Sequence, residues 1–185
     1  IELGEKTRDY PPGARFKWNV EVLWAVESYL QNASPQKRQR FIQAVKDGMI
    51  GLDALYGNEL TALCRPEELV QLTAFARRLV RQHGLRIDSA MISDVPGYTW
   101  GIVPVLAQSG VRYFSIGPNA SARIGHTLAA WADKPFWWLS PSGEEKVLCW
   151  IPRRGYWRAF RGEADLMAYL AHLEATGYPL SLIHI

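Results

Sequence analysis

The sequence predicts an α/β fold with parallel strands, either an open layer or a barrel, and one antiparallel hairpin set into it. Short apolar segments of strand character alternate three times with stretches of helical periodicity, and parallel strands need crossovers of this kind, which then cover the sheet. The exception lies between Phe136 and Ile151, where two apolar runs flank Pro141-Ser142-Gly143-Glu144, a hairpin composition. A chain of 185 residues, 48% hydrophobic and 21% charged, is long enough to bury a core of its own, so a single domain is expected.

Apolar and polar residues alternate from Ala14 to Val20 around Phe16, Trp18 and Val20, the period of a strand. Val22, Leu23, Val26, Tyr29 and Leu30 then recur at helical spacing. Ser34-Pro35 supplies an N-cap and a first-turn proline for a second helix that stops at Gly48. Met49 to Leu55 reads as a strand, and Tyr56-Gly57-Asn58-Glu59 as the polar loop behind it. Pro66, Glu67 and Glu68 open a helix whose stripe is Leu69, Leu72, Ala76, Leu79 and Val80, with Arg77, Arg78 and Arg81 on its wet face and Gly84 as its stop. Leu85 to Ser93 is the next strand. Thr99 caps a helix through Ile102, Val103 and Leu106 that ends at Gly110, and Val111 to Ile116 is strand again. After the hairpin, Asp165 to Thr176 returns to helix and Gly177 ends it.

Composition removes several function classes. The formal charge of +3 comes from scattered basic residues, so no nucleic-acid partner is expected. No apolar stretch reaches the roughly 18 residues of a membrane span, and the opening residues lack the basic-then-apolar build of a signal peptide. Cys64 and Cys149 make no metal pattern and are either buried thiols or a disulfide. The sequence holds no GxSxG, GxxxxGK[ST], GxGxxG or HExxH motif, and His83, His126 and His172 are not spaced as metal ligands.

The positive signal is aromatic. Eight Trp, eight Tyr and six Phe make up 12% of the chain, and flat amphipathic rings either fill a core or line a groove where sugar faces stack. In parallel α/β folds ligands sit beyond the carboxyl ends of the strands, which selects Glu21, Tyr56 to Glu59, Asp94 and Asn119. Asp94 leads them, because it ends a strand and precedes Val95-Pro96-Gly97. Pro96 stiffens that turn and Gly97 is expected to permit the reversal.

Three segments carry a resemblance: Phe16-Lys17-Trp18-Asn19-Val20-Glu21-Val22-Leu23-Trp24, Met91-Ile92-Ser93-Asp94-Val95-Pro96-Gly97-Tyr98-Thr99-Trp100 and Lys134-Pro135-Phe136-Trp137-Trp138. Together, over about residues 14 to 178, they resemble the N-terminal catalytic domain of glycoside hydrolase family 38, the α-mannosidases. Gly48-Met49-Ile50-Gly51 and Gly110-Val111-Arg112-Tyr113-Phe114 fall where that family has its corresponding strands. The aspartate turn departs from the family's commoner Asp-x-Phe-Gly-His. The resemblance implies a partial seven-stranded (β/α) barrel and a retaining mechanism in which one carboxylate attacks the anomeric carbon and a second acts as acid, then base. It makes Asp94 the nucleophile and one ligand of a zinc ion whose other ligands lie outside this chain. It makes Trp18, Glu21, Tyr56, Trp100, Trp137, Trp138 and Tyr156 sugar-binding candidates.

No family carboxylate is matched between Ile151 and Trp157, and Glu163 falls at a helix start. The chain is expected to be one incomplete catalytic barrel domain over 1–185, inactive alone, with 179–185 a possible foreign tail. The leading reading is a zinc-dependent α-mannosidase acting on a carbohydrate. A polysaccharide deacetylase and a non-catalytic carbohydrate-binding barrel are the alternatives, and the oligomeric state is open.

Overall fold

The computed structural model describes residues 1–119, 127–153 and 162–178. Tyr156, Trp157, His126 and the 179–185 tail lie outside them. A short helix α1 (Glu2–Lys6) and a 3-10 turn (Pro12–Ala14) precede the first strand, β1 (Trp18–Val20). The strand is shorter than the alternation predicts, because two prolines leave the chain in a tight turn up to Ala14. Helices α2 (Leu23–Asn32) and α3 (Pro35–Lys46) follow, and Ser34 Oγ accepts the Lys37 N–H (3.4 Å) at the start of α3, as the N-cap signal predicts.

After β2 (Ile50–Leu52), the single helix expected from Pro66 to Gly84 is two, α4 (Pro66–Leu72) and α5 (Ala74–His83). Two hydrogen bonds mark the break. The Leu72 carbonyl accepts the Tyr56 N–H from the loop behind β2 (2.8 Å), and the Thr73 hydroxyl folds back to the Val70 carbonyl (3.1 Å). Leu69, Leu72, Ala76 and Leu79 of the expected stripe are buried and Phe75 joins them, whereas Val80 is 38% exposed.

The remaining elements are β3 (Ser89–Ser93), α6 (Ile102–Gln108), β4 (Tyr113–Gly117), α7 (Thr127–Trp131), β5 (Phe136–Leu139), β6 (Lys146–Trp150) and α8 (Glu163–Ala175). β1 pairs with β2 in parallel, and a second sheet has the order β3-β4-β6-β5, with β3, β4 and β6 parallel and β5 antiparallel to β6. The Ala54 N–H donates to the Ser89 carbonyl (2.8 Å), which joins the end of β2 to β3 and links the two sheets. The parallel strands and the hairpin are therefore as expected. Among the described residues the strands close into no barrel, so the barrel remains an inference from the resemblance.

One buried cluster runs through Leu23, Leu55, Leu79, Ile92, Ile102, Leu106 and Phe114. Cys149 is buried within it and Cys64 is half-buried, both as free thiols. No helix among the described residues is long and apolar enough to cross a membrane.

Candidate functional site

β1 and β2 run parallel, as do β3, β4 and β6, and the loop after β2 and the turn after β3 line one cavity. Asp94 leaves β3 there with φ of 59°, the left-handed region that few non-glycine residues occupy. The reversal is thus made by Asp94 itself; Gly97, expected to make it, has no positive φ. The surroundings hold this strained residue in place. Its N–H donates to the Gly117 carbonyl at the end of β4 (2.8 Å), and Asn119 Nδ2 donates to its Oδ1 (2.7 Å). Asp94 Oδ2 has no partner among the described residues. Behind the turn, fully buried Thr61 accepts the Thr99 N–H (3.0 Å) and donates to the Gly97 carbonyl (3.5 Å), a clamp with no motif to announce it.

Asp94 and Val95 line a cavity of about 820 Å³ together with Tyr56, Asn58 and Glu59 from the loop after β2. Tyr56 donates its hydroxyl to Glu27 Oε2 (2.8 Å), and this bond is the main cause that holds the phenol's pKa above its ordinary value. Glu27 is also paired with Arg78. Asn58 Nδ2 donates to Glu21 Oε1 (3.0 Å), so Glu21 stands behind the same loop. The fold therefore gathers Glu21, Tyr56 and Asp94.

The tryptophans gather elsewhere. Trp100, Trp137 and Trp138 line a second cavity, of about 620 Å³, with Tyr98 and Trp131. Pro96 lines both cavities, so the Asp94 turn is the ridge between them. Trp138 also stacks on buried Phe114, ring centroids 6.4 Å apart and 11° from parallel, which makes it part of the core wall. Trp18 is at the opposite, amino end of β1, stacked on Phe16 (6.5 Å), and lines neither cavity. Glu163 starts α8 and is exposed.

Sequence reasoning missed Asp53, which directly follows β2 inside the segment taken for strand. It is 4% exposed and accepts Ser89 Oγ (2.8 Å) and Asn19 Nδ2 (2.5 Å), tying β2 to both neighbouring strands. Gly51 leaves room for this, since a Cβ there would come within 2.6 Å of Asn19 Oδ1. Burial pushes the Asp53 carboxyl pKa up, against the two hydrogen bonds, and the Glu21 charge pushes it further. The available signal was an acid placed immediately after an apolar run.

A raised carboxyl pKa means that folding penalises the ionised form. From about pH 4, where an unfolded aspartate loses its proton, up to the higher folded value, the unfolded state binds fewer protons and stability falls as pH rises. Asp53→Asn removes that slope. The unfolding free energy of the variant relative to the parent, from urea titrations at pH 4 and pH 7, is expected to shift in the variant's favour at pH 7; parallel profiles would refute a penalised Asp53.

The resemblance implies zinc at Asp94. Among the described residues, no three His, Cys, Asp or Glu side chains are grouped so as to hold a metal ion, so Asp94 is a single donor without a completed ligand set here.

No protein-family model and no curated protein sequence matches the chain. Solved structures do match in fold. A 4-alpha-glucanotransferase from Thermococcus litoralis superposes with a TM-score of 0.64 at 15% identity, over 93% of this chain and 26% of that one. An alpha-mannosidase from Enterococcus faecalis superposes at 0.64 and 14%, over 94% of this chain and 20% of that one. A glycosyl hydrolase family 38 protein from the same organism gives 0.62 and 14%, over 98% and 19%. The chain spans about a fifth to a quarter of the length of these structures and shares their fold over nearly all of its own.

Proposed function

We propose that this chain is part of the catalytic domain of a retaining glycosidase of the α-mannosidase type, with Asp94 as its nucleophile. The observation that carries the reading is the Asp94 carboxylate itself. It leaves the end of a parallel strand in a strained backbone, one oxygen is held by Asn119, and the carboxylate lines a cavity. Such an arrangement suits a group that must be aimed before its substrate arrives. The fold shared with an α-mannosidase supports the choice of chemistry.

In this reading Asp94 Oδ2 attacks the anomeric carbon as the glycosidic bond breaks, and water then cleaves the glycosyl ester. Asn119 orients the carboxylate by holding Oδ1. Asn58, held by Glu21, presents polar groups to the sugar hydroxyls. The acid that protonates the leaving group is assigned to no residue of this chain. When bound, zinc would grip sugar hydroxyls as a Lewis acid with Asp94 as one of its donors; since the described residues do not complete its site, no step here runs through it.

The test uses the intact protein from which the chain comes. An aryl α-mannoside is expected to be hydrolysed, with α-mannose as the first product by NMR. First-formed β-mannose refutes retention. Acetate released from an acetylated polysaccharide, with no glycoside turnover, identifies a deacetylase, and sugar binding without turnover identifies a carbohydrate-binding barrel.

A further inference from the structure

We propose that the aromatic cavity beside Pro96 is a second sugar subsite, holding the pyranose residue adjacent to the one attacked by Asp94. The assignment rests on the glycosidase reading and adds to it where the neighbouring sugar goes and what binds it.

Three large rings stand in water around this cavity, with Trp100 59%, Trp131 48% and Trp137 52% exposed. Clustered apolar surface of this kind marks a binding face, because leaving it wet forgoes the burial energy of each indole. The rings are also held. Trp100 Nε1 donates to the Leu139 carbonyl (2.6 Å), and Lys146 Nζ sits 4.5 Å over the Trp137 ring. Pre-set rings lower the ordering cost of binding.

Two features select a sugar as the occupant. Among the described residues the lining carries no charged side chain, which suits a neutral ligand. Tyr98 lines the cavity, and its hydroxyl, buried behind the ring, has no hydrogen-bond partner among the described residues. An orphaned buried hydroxyl is costly, and a sugar hydroxyl can both donate to it and accept from it while the C–H face of the ring covers an indole. A purely apolar occupant would leave Tyr98 unpaired. Pro96 lines both cavities, so a glycan crossing this turn places one residue at Asp94 and the next among the tryptophans.

The experiment compares Tyr98→Phe and Trp137→Ala in the intact protein, on an aryl α-mannoside and on an α-linked mannotriose. Tyr98→Phe keeps the ring against Phe114 and removes only the hydroxyl. The ratio of kcat/KM for mannotriose to that for the aryl mannoside is expected to fall about threefold to tenfold in Tyr98→Phe, the worth of one neutral hydrogen bond, and about tenfold in Trp137→Ala. An unchanged ratio in both variants overturns the subsite and leaves the glycosidase reading intact. Tryptophan fluorescence titrated with mannotriose supplies a readout independent of turnover. If no glycoside is cleaved but Trp137→Ala weakens this binding, the subsite stands and the hydrolase reading falls. If mannotriose causes no fluorescence change in the unmodified protein, the subsite is overturned whatever is cleaved, as when other parts of the longer protein cover the groove.

Discussion

Asp94→Asn in the intact protein is expected to lower turnover of an aryl α-mannoside by about 10³-fold or more, as loss of a covalent nucleophile does, while the unfolding midpoint hardly moves. Asparagine is the right replacement for two reasons. It is among the few residues that tolerate the left-handed backbone seen at φ of 59°, and its carbonyl can still accept from Asn119. Only the negative charge of the proposed nucleophile is lost. Asp94→Ala confounds the test, since alanine in that conformation costs about 1 kcal/mol and leaves Asn119 without its acceptor. Turnover within tenfold of the parent would sink the nucleophile assignment.

Phe114→Ala is expected to destabilise the protein by about 3–5 kcal/mol. Phe114 is 1% exposed on β4, stacked on Trp138 of β5 and edge-on to Tyr98, centroids 6.5 Å apart at 80°. Its removal opens a cavity between the sheet and the Asp94 turn, and neither large neighbour can rotate inward without giving up its own packing. Urea unfolding at neutral pH measures the loss. A change below about 1 kcal/mol would mean that the stack is not part of the core. Trp137→Ala, on β5 next to Trp138 but exposed, is the contrast, because its ring is half in water and its removal empties no buried space.

Much of the fold was legible because its signals are local. The Ser34-Pro35 cap, the Gly84, Gly110 and Gly177 stops, and the Phe136 to Ile151 hairpin each depend on a few consecutive residues, and each is where it was expected. The misreadings arose where a distant partner decided the outcome. Thr73 breaks a helix of good periodicity because Tyr56, from another loop, bonds the Leu72 carbonyl at that point. Asp53 looked like part of a strand, and only the approach of Asn19 and Ser89 makes it a buried tie between three strands.

The candidate site divides in the same way. That a carboxylate ends β3 and is presented beyond the sheet follows from strand periodicity, parallel pairing and the stiff turn after it, all of which are properties of chain order. The sequence alone therefore determined which acid to examine. It did not determine that Asp94 carries the strained dihedral in place of Gly97, that Asn119 holds one of its oxygens, or that the tryptophans stand apart from it across Pro96. Those are decided by tertiary structure, because they depend on contacts across more than 20 positions, whose geometry is set by how strands and helices pack and not by the spacing of residues along the chain.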